Sequence, residues 1–274
     1  MASVVQDRGE GSSMIPHKII GTGLQAVTCQ IAPGQTVYSE PGKFLWKTQN
    51  VTLETHLSAP GPAGGSPGGG GLLGRALDVG KRVLAGERLA LEHFTAVGGN
   101  GLVGFAGIVP GEIRVLELDG PGWLTEKSAF VAAESSVRFD IAFTGLRAGL
   151  RGGEGFVLEH FTGAGSLIIA AAGSFLELDP SSYGGTIQVH TGSLVAFQDT
   201  LTYDVARVGS LGTQTVMNAA LGDGSTVATI SGQGTVIVGT VNLASLAATL
   251  AAHDPAGGGS AARGGVQGGL KDLF

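Results

Sequence analysis

The sequence predicts an all-β fold in which three similar units follow one another along the chain. Many short stretches alternate between apolar and polar residues, which is the pattern of a strand with one buried face. Glycine and proline separate these stretches at short intervals, as turns between strands require. Blocks of sequence also recur in the same order at an interval of roughly 60–70 residues, which indicates tandem copies of one structural unit.

The recurring blocks define which positions are equivalent in the three units. Residues 91–95 (Leu-Glu-His-Phe-Thr) recur letter for letter at 158–162, and residues 225–234 align with 156–165 without a gap. The remaining alignments are 116–119 with 176–179, 129–141 with 193–205, and 43–55 with 129–141. We therefore predict units at residues 18–100, 101–165 and 166–252, between a disordered N-terminal segment (1–17) and a flexible glycine-rich tail (253–274).

The alternation also locates individual elements in chain order. Strands with one polar and one apolar face are predicted at residues 25–31, 36–38, 51–53, 137–141 and 201–205. Residues 167–171 and 236–238 are wholly apolar, which is typical of strands buried on both faces. Residues 243–253 predict a helix near the end of the third unit.

One segment of the first unit departs from the strand pattern. Residues 59–71 are rich in glycine and proline and predict a loop, and residues 72–85 place apolar side chains at helical spacing. We therefore predict a loop and a short amphipathic helix inserted at residues 59–86. Its basic side suits an anionic membrane surface, and the alternative is a helix that closes an open end of the β structure. The proposed interaction residues are Leu72, Leu73, Arg75, Leu77, Lys81, Arg82 and Leu84.

The composition excludes several classes of protein. Apolar residues make up 43% of the chain and charged residues 14%, which supports a substantial core and excludes a disordered protein. The net charge of −6 lacks the basic character of a general nucleic-acid binder, so we expect no nucleic-acid partner. The single cysteine, Cys29, cannot form a disulfide within the chain. Without a visible secretory signal or membrane span, we expect a cytoplasmic protein, free or peripheral to a membrane.

Two sets of polar residues occupy equivalent positions and could carry chemistry. Glu54, Asp140 and Asp204 share one position, and His93 and His160 share another. Carboxylates and histidines serve as acid–base groups or metal ligands when a fold brings them together. The simpler interpretation is that they are strand residues that accept local hydrogen bonds or face solvent. No nucleophile elbow, phosphate-binding loop or Cys-x-x-Cys pair is present, so we predict no catalytic residue, cofactor or metal site.

Three blocks of the sequence resemble those of a known family: residues 24–44, 110–120 and 153–165. Together the blocks are similar to the altered-inheritance-of-mitochondria family of TRAP-like proteins, long described as a domain of unknown function, and the similarity covers about residues 18–250. The resemblance implies β-sandwich units, double-stranded β-helix-like, similar to the subunit of the tryptophan RNA-binding attenuation protein. It also implies a pseudo-three-fold prism and a homotrimer in which nine units close a ring.

The resemblance carries no catalytic residue and no RNA-binding role. The attenuation protein reads RNA with basic residues repeated on its rim, whereas Arg138 aligns here with Thr52 and Thr202. We therefore expect a non-enzymatic, trimeric β scaffold that binds a partner protein or a membrane surface. The alternative is a protein that binds a small ligand between its units. A third hypothesis is an enzyme in which the carboxylates and histidines converge.

Overall fold

The fold is described by a computed structural model that defines residues 14–56, 90–145, 156–207 and 226–252. Within these ranges the chain is all-β, which confirms the predicted fold class. One helix, α1 (Leu243–Ala252), follows the last strand and confirms the helix predicted at residues 243–253. The predicted insertion at residues 59–86, with its loop and helix, lies outside the described residues.

In the described ranges, the strands form three successive sets of six, which we call units, preceded by β1 (His17–Ile20). The first unit comprises β2 (Ala26–Ile31), β3 (Thr36–Ser39), β4 (Phe44–Lys47), β5 (Val51–His56), β6 (Leu91–Ala96) and β7 (Gly101–Ala106). The second comprises β8 (Ile113–Leu118), β9 (Trp123–Glu126), β10 (Phe130–Glu134), β11 (Val137–Gly145), β12 (Phe156–Gly163) and β13 (Gly165–Ala170). The third comprises β14 (Phe175–Leu178), β15 (Thr186–His190), β16 (Leu194–Gln198), β17 (Thr202–Arg207), β18 (Thr226–Ser231) and β19 (Val236–Gly239).

The same antiparallel pairing occurs in each unit. The first and third strands pair with the sixth, and the second and fourth strands pair with the fifth. Consecutive units are joined because the second strand of one pairs with the third strand of the next, β3 with β10 and β9 with β16. We call this pairing a junction. Each six-stranded sheet is therefore shared by two units.

The junctions generate four sheets in sequence along the chain. Their strand orders are β1-β2-β7-β4 in sheet 1, β5-β6-β3-β10-β13-β8 in sheet 2, β11-β12-β9-β16-β19-β14 in sheet 3 and β15-β18-β17 in sheet 4. The third strand of every unit shifts register by one residue against the sixth strand, at Leu45, Val131 and Val195. Such a bulge increases the local twist and redirects the strand as it passes between its two neighbours.

The core lies between consecutive sheets in three clusters of buried side chains. Between sheets 1 and 2, Phe94 packs edge-on against Phe105 with ring centroids 5.2 Å apart. Between sheets 2 and 3, Phe161, the equivalent of Phe94, lies 4.8 Å from Phe130. Each buried phenylalanine stabilises the fold by roughly 1.5–3 kcal/mol, so the repeated aromatic position is a main source of stability in these layers.

Strand pairing corrects the predicted limits of the units. Strand β7 pairs with β2 and β4, so the first unit ends after Ala106 and not at residue 100. Strand β13 likewise extends the second unit to Ala170. The predicted disordered segment at residues 1–17 is wrong for residues 14–17, because Ile15 is buried and its backbone N–H donates to Ser166 Oγ at 2.7 Å. Residues 1–13 and 253–274 lie outside the described residues.

The linkers between units are themselves packed together. Gly111, before β8, forms a parallel bridge with Gly173, before β14, and Glu112 N–H donates to the Gly173 carbonyl at 2.9 Å. A Cβ at Gly111 would overlap the carbonyl oxygen of Ala171, which is backbone and cannot rotate away. The contact thus requires glycine at this position.

We predict that Gly111→Ala lowers the free energy of unfolding by about 1–3 kcal/mol, because the two linkers must separate to admit the methyl group. The measurement is a urea titration followed by circular dichroism. Gly120→Ala is the matched control, since a Cβ there meets no atom within 4 Å. Equal stability of the two variants would show that the linkers yield without cost.

Candidate functional site

The predicted polar positions lie on the fourth and fifth strands of each unit. Glu54 on β5 is the cross-strand partner of His93 on β6, and Asp140 on β11 is the partner of His160 on β12. In the third unit the corresponding pair is Asp204 and Thr229. The fold therefore places each carboxylate directly opposite its histidine position, an arrangement that the sequence repeats alone did not reveal.

The contacts of these residues lie within a unit or across the junction to the next unit. In the first unit, His56 Nε2 lies 3.1 Å from Glu54 Oε2, and the His56 ring stacks on His93 with centroids 4.4 Å apart. In the second unit, His160 Nε2 lies 3.0 Å from Asp199 Oδ2, while Asp140 accepts a hydrogen bond from the backbone N–H of the next residue. The simpler interpretation of these positions thus accounts for their contacts.

The three carboxylates belong to three different sheets. Glu54 lies on sheet 2, Asp140 on sheet 3 and Asp204 on sheet 4, and all three are exposed. Among the described residues, no group of three or more histidine, cysteine or acidic side chains is arranged to hold a metal ion. The geometry thus gives no support to a shared catalytic or metal-binding centre at these positions.

A buried charged cluster lies at the first junction. Lys43, just before β4, is only 2% exposed and its Nζ donates to the Ser128 carbonyl at 2.9 Å. Ser128 belongs to the equivalent loop of the second unit, where Glu126 accepts a hydrogen bond from its backbone N–H. Lys43 also interacts electrostatically with Glu126 and with Glu159 of β12, so opposite charges meet where the two units join.

Burial shifts the proton affinities in this cluster. Loss of hydration lowers the pKa of Lys43, and the neighbouring carboxylates Glu40, Glu126 and Glu159 oppose that shift. Burial raises the pKa of Glu126, against the hydrogen bonds from Ser128 and the charge of Lys43. Burial also raises the pKa of Tyr38, and the charge of Glu159 adds to the effect. Because burial dominates each shift, the cluster holds ionisable groups away from water.

Two strands, β4 and β15, are equivalent to strands that form the junctions, but each lies at the end of a sheet. Strand β4 is equivalent to β10 and β16 but ends sheet 1, and strand β15 is equivalent to β3 and β9 but ends sheet 4. On β4, Leu45 and Trp46 are 53% and 43% exposed. The residues at the same positions of β10 and β16 are buried: Val131 0%, Ala132 0%, Val195 5% and Ala196 0%. The chain thus exposes on β4 a surface that its own junctions cover.

The exposed tryptophan is accommodated by a neighbouring glycine. Trp46 pairs with Gly104 on β7, and a Cβ at Gly104 would overlap the indole. In the second unit the corresponding pair is Ala132 with Ile168, and in the third it is Ala196 with Ile237. In the first unit the large residue therefore lies on the third strand, β4, and the small residue on the sixth, whereas the other two units have the reverse. The large side chain thus lies on the strand that ends sheet 1.

Comparison with known proteins places this architecture in a family. A family model described as mitochondrial biogenesis AIM24 matches residues 17–241. The chain belongs to the AIM24 family. This result confirms the resemblance to the altered-inheritance-of-mitochondria proteins, while a TRAP-like arrangement remains a prediction.

Two proteins of Streptococcus pyogenes are similar to this AIM24 chain. An uncharacterised protein of Streptococcus pyogenes serotype M6 is 27% identical over 230 residues, which cover 84% of this chain and 86% of the relative. The crystal structure of a protein from Streptococcus pyogenes, solved by the Northeast Structural Genomics Consortium, superposes with a TM-score of 0.67 at 24% identity. It covers 86% of this chain and 98% of the other, and at this identity it shows the fold alone.

The proposed membrane interaction of the helix at residues 72–85 remains a prediction, because those residues lie outside the described ranges. In the part of the chain that the structure describes, no helix has the length and apolar character needed to cross a membrane.

Sequence reasoning missed both the charged cluster and the open edges. Lys43 stands in the alignment beside Ala129 and Ser193, so a lysine at a position occupied by small residues was a visible signal. Leu45 and Trp46 align with small apolar residues of the other units, which was a second signal. Neither could be interpreted without knowing that the third strand of a unit lies at a junction.

We predict that Glu126→Gln weakens the dependence of stability on pH. A carboxyl group whose folded pKa is raised contributes stability that is fully present below its unfolded pKa and is lost as pH rises through its folded pKa. The free energy of unfolding of the native protein should therefore fall as pH rises just above the ordinary carboxyl range, and it should fall less in the variant. The glutamine keeps an oxygen that can accept the Ser128 N–H.

Urea titrations at a series of pH values measure this effect. Glu54→Gln is the matched control, since it replaces an exposed carboxylate outside the cluster. If the native protein and Glu126→Gln lose stability in parallel with rising pH, burial of Glu126 is not the cause.

Proposed function

We propose that the protein is a non-enzymatic, cytoplasmic β scaffold whose chains join end to end through β4 of one copy and β15 of the next. We call this intermolecular contact the seam. Three chains would close a ring of nine TRAP-like units, which would present its outer strands to a partner protein or a membrane surface. The observation that carries the proposal is that β4 and β15 are the unpaired halves of a junction the chain makes twice internally.

The exposure of the two strands supports the seam. Leu45 and Trp46 occupy positions that are buried at both internal junctions. On β15, Thr186 and Gln188 are exposed, whereas β3 and β9 are almost wholly buried. An uncovered edge strand with apolar side chains is a template for pairing with another chain. Closed symmetric rings are a common outcome when a contact joins two different surfaces of one protein.

The internal junctions predict the register of the seam. Ala132 pairs with Ser39 at the first junction, and Ala196 pairs with Thr125 at the second. Trp46 is equivalent to the two alanines, and Val189 is equivalent to Ser39 and Thr125, so Trp46 of one copy would pair with Val189 of the next. Antiparallel pairing in this register places Lys47 opposite Gln188, with the backbone groups of both free to bond.

The backbone directions of the two strands agree with this register. The Gly185 carbonyl accepts a hydrogen bond from Gly232 N–H, so the N–H and C=O of Gly185 face β18. These groups alternate in direction along a strand, so those of Gln188, three residues later, face away from β18. On the other strand, Thr48 N–H donates to the Leu102 carbonyl, so the peptide groups of Lys47 face away from β7. Both strands therefore direct outward N–H and C=O groups that no described strand pairs.

The scaffold role is supported by the arrangement of the polar positions. Glu54, Asp140 and Asp204 lie on separate sheets, and the contacts made by His56 and His160 are with carboxylates near them. Catalysis by several groups requires them within reach of one substrate. An interface between copies needs only two edge strands that can pair, and β4 and β15 supply them.

We predict that Gln188→Pro and Lys47→Pro each block assembly without unfolding the chain. Proline removes an outward N–H and is tolerated on an edge strand. Each variant keeps one intact edge, so each should be a single chain alone, and an equimolar mixture should form a dimer with one seam. Native mass spectrometry and sedimentation velocity measure the species.

Gln188→Ala and Lys47→Ala are the matched controls, because they shorten the side chains but keep both backbone N–H groups. The second control also removes the bond from Lys47 Nζ to the Val51 carbonyl. Circular dichroism shows whether each variant is folded. Folded proline variants that assemble like the native protein would refute the seam, and so would a native oligomer whose variants do not complement each other.

A further inference from the structure

Glu92 on β6 has a buried carboxylate oxygen that no described residue satisfies. Its Oε2 is inaccessible to water and has no hydrogen-bond partner among the residues that the structure describes. An unsatisfied buried acceptor destabilises the folded state, and more so when it is charged. Burial also raises the pKa of Glu92. Glu159 Oε2, at the equivalent position of the first junction, is also buried without a hydrogen-bond partner among the described residues, so a carboxylate oxygen at this position stays unsatisfied even where the junction is complete.

The strand alternation shows which way Glu92 faces. Phe94, two residues further along β6, packs against Phe44 and Phe105 of sheet 1. Side chains two residues apart on a strand share a face, so Glu92 also points toward sheet 1. Sheet 1 ends at β4, and the seam would add β15 of another copy beyond it. Glu92 therefore faces the space that the added strand would fill.

The first internal junction shows what stands opposite this position. Glu159 is the equivalent of Glu92 in the second unit, and it interacts electrostatically with Tyr38 and Lys43 of the first unit. By the repeat, Tyr38 corresponds to Gln188 and Lys43 corresponds to Ser193. The second junction has alanine at both positions, Ala129 in place of the lysine and Ala228 in place of the glutamate.

We infer that Glu92 is a seam residue that faces Gln188 and Ser193 of the neighbouring copy, as Glu159 faces Tyr38 and Lys43 at the first junction. This inference rests on the proposed assembly through β4 and β15. Gln188 presents an amide, whose nitrogen also donates to Thr229 Oγ1 at 3.4 Å, and Ser193 presents one hydroxyl. Both residues belong to the exposed end of sheet 4 or the loop after it. The partner that meets Glu92 is thus a second copy of this chain.

The inference explains how the seam differs from the internal junctions. At the first junction a lysine meets carboxylates, and at the second the corresponding positions are apolar. At the seam, neutral donors meet a carboxylate. Because each junction has different chemistry at the same positions, β15 of one copy fits β4 of the next better than it fits β10 or β16.

Ser193→Lys tests the inference as a gain of binding. The substitution gives the seam the lysine that stands at the first junction, with Glu92 and Glu40 of the neighbouring copy in reach. A single seam is measured in a dimer of two variant chains. The Lys47→Pro chain supplies β15 and also carries Ser193→Lys. The Gln188→Pro chain supplies β4 and Glu92. We expect Ser193→Lys to lower the dissociation constant about tenfold, because paired charges across a buried contact are coupled.

A double-mutant cycle assigns that gain to Glu92. Glu92→Gln on the β4-supplying chain removes the charge and keeps the side-chain length, and it should abolish the gain from Ser193→Lys. Ser193→Met is the matched control for length without charge and should give no gain. Isothermal titration calorimetry measures all combinations, with circular dichroism to establish that each chain is folded.

The outcomes separate this inference from the assembly on which it rests. A gain from Ser193→Lys that disappears with Glu92→Gln supports both. A dimer that forms normally, but in which Ser193→Lys has the same effect with and without Glu92, overturns the inference and leaves the seam intact. If the proline variants do not form a dimer and the native protein does not assemble, the proposed function itself fails.

Discussion

The junction between units is the interaction on which the rest of the structure depends. Each unit leaves one edge of its second strand and one edge of its third strand without a partner inside the unit. Backbone N–H and C=O groups at a buried edge must be paired, and a unit cannot pair its own. Placing the second strand of one unit against the third of the next satisfies both edges. It also fixes which sheets face each other, and thereby where the aromatic clusters form.

The units differ in sequence at positions where they meet. Equivalent positions hold Lys43, Ala129 and Ser193 in the loop before the third strand, and Glu92, Glu159 and Ala228 on the fifth. The strand pairing is the same at both internal junctions, so backbone hydrogen bonding alone does not distinguish one junction from another. Side-chain chemistry at the contact must do so. The buried lysine of the first junction is therefore better explained by specificity than by stability, because desolvation opposes the gain from its carboxylates.

The sequence was sufficient to predict the all-β class and the family, because alternation and repeated blocks are properties of the chain itself. It did not locate the limits of the units. A tandem repeat looks the same from any starting residue, whereas strand pairing assigns β7 to the unit before it. The histidine and carboxylate positions were identified correctly as equivalent, but their separation onto different sheets depends on pairing between distant strands. The burial of Lys43 depends on a loop 85 residues away and was equally inaccessible to local patterns.

The proposed assembly would account for the large residue at Trp46 and the small one at Gly104, because a contact between chains differs from an internal one. At an internal junction the two units are tethered, so the contact forms at high effective concentration and alanine at positions 132 and 196 is sufficient. A seam between separate chains must overcome the loss of translational and rotational freedom, which demands more favourable contact from each residue. Tryptophan is the residue type most often found to dominate such contacts. Gly104 allows the indole to lie against β7 while part of it stays exposed, which is the placement an anchor at the seam requires.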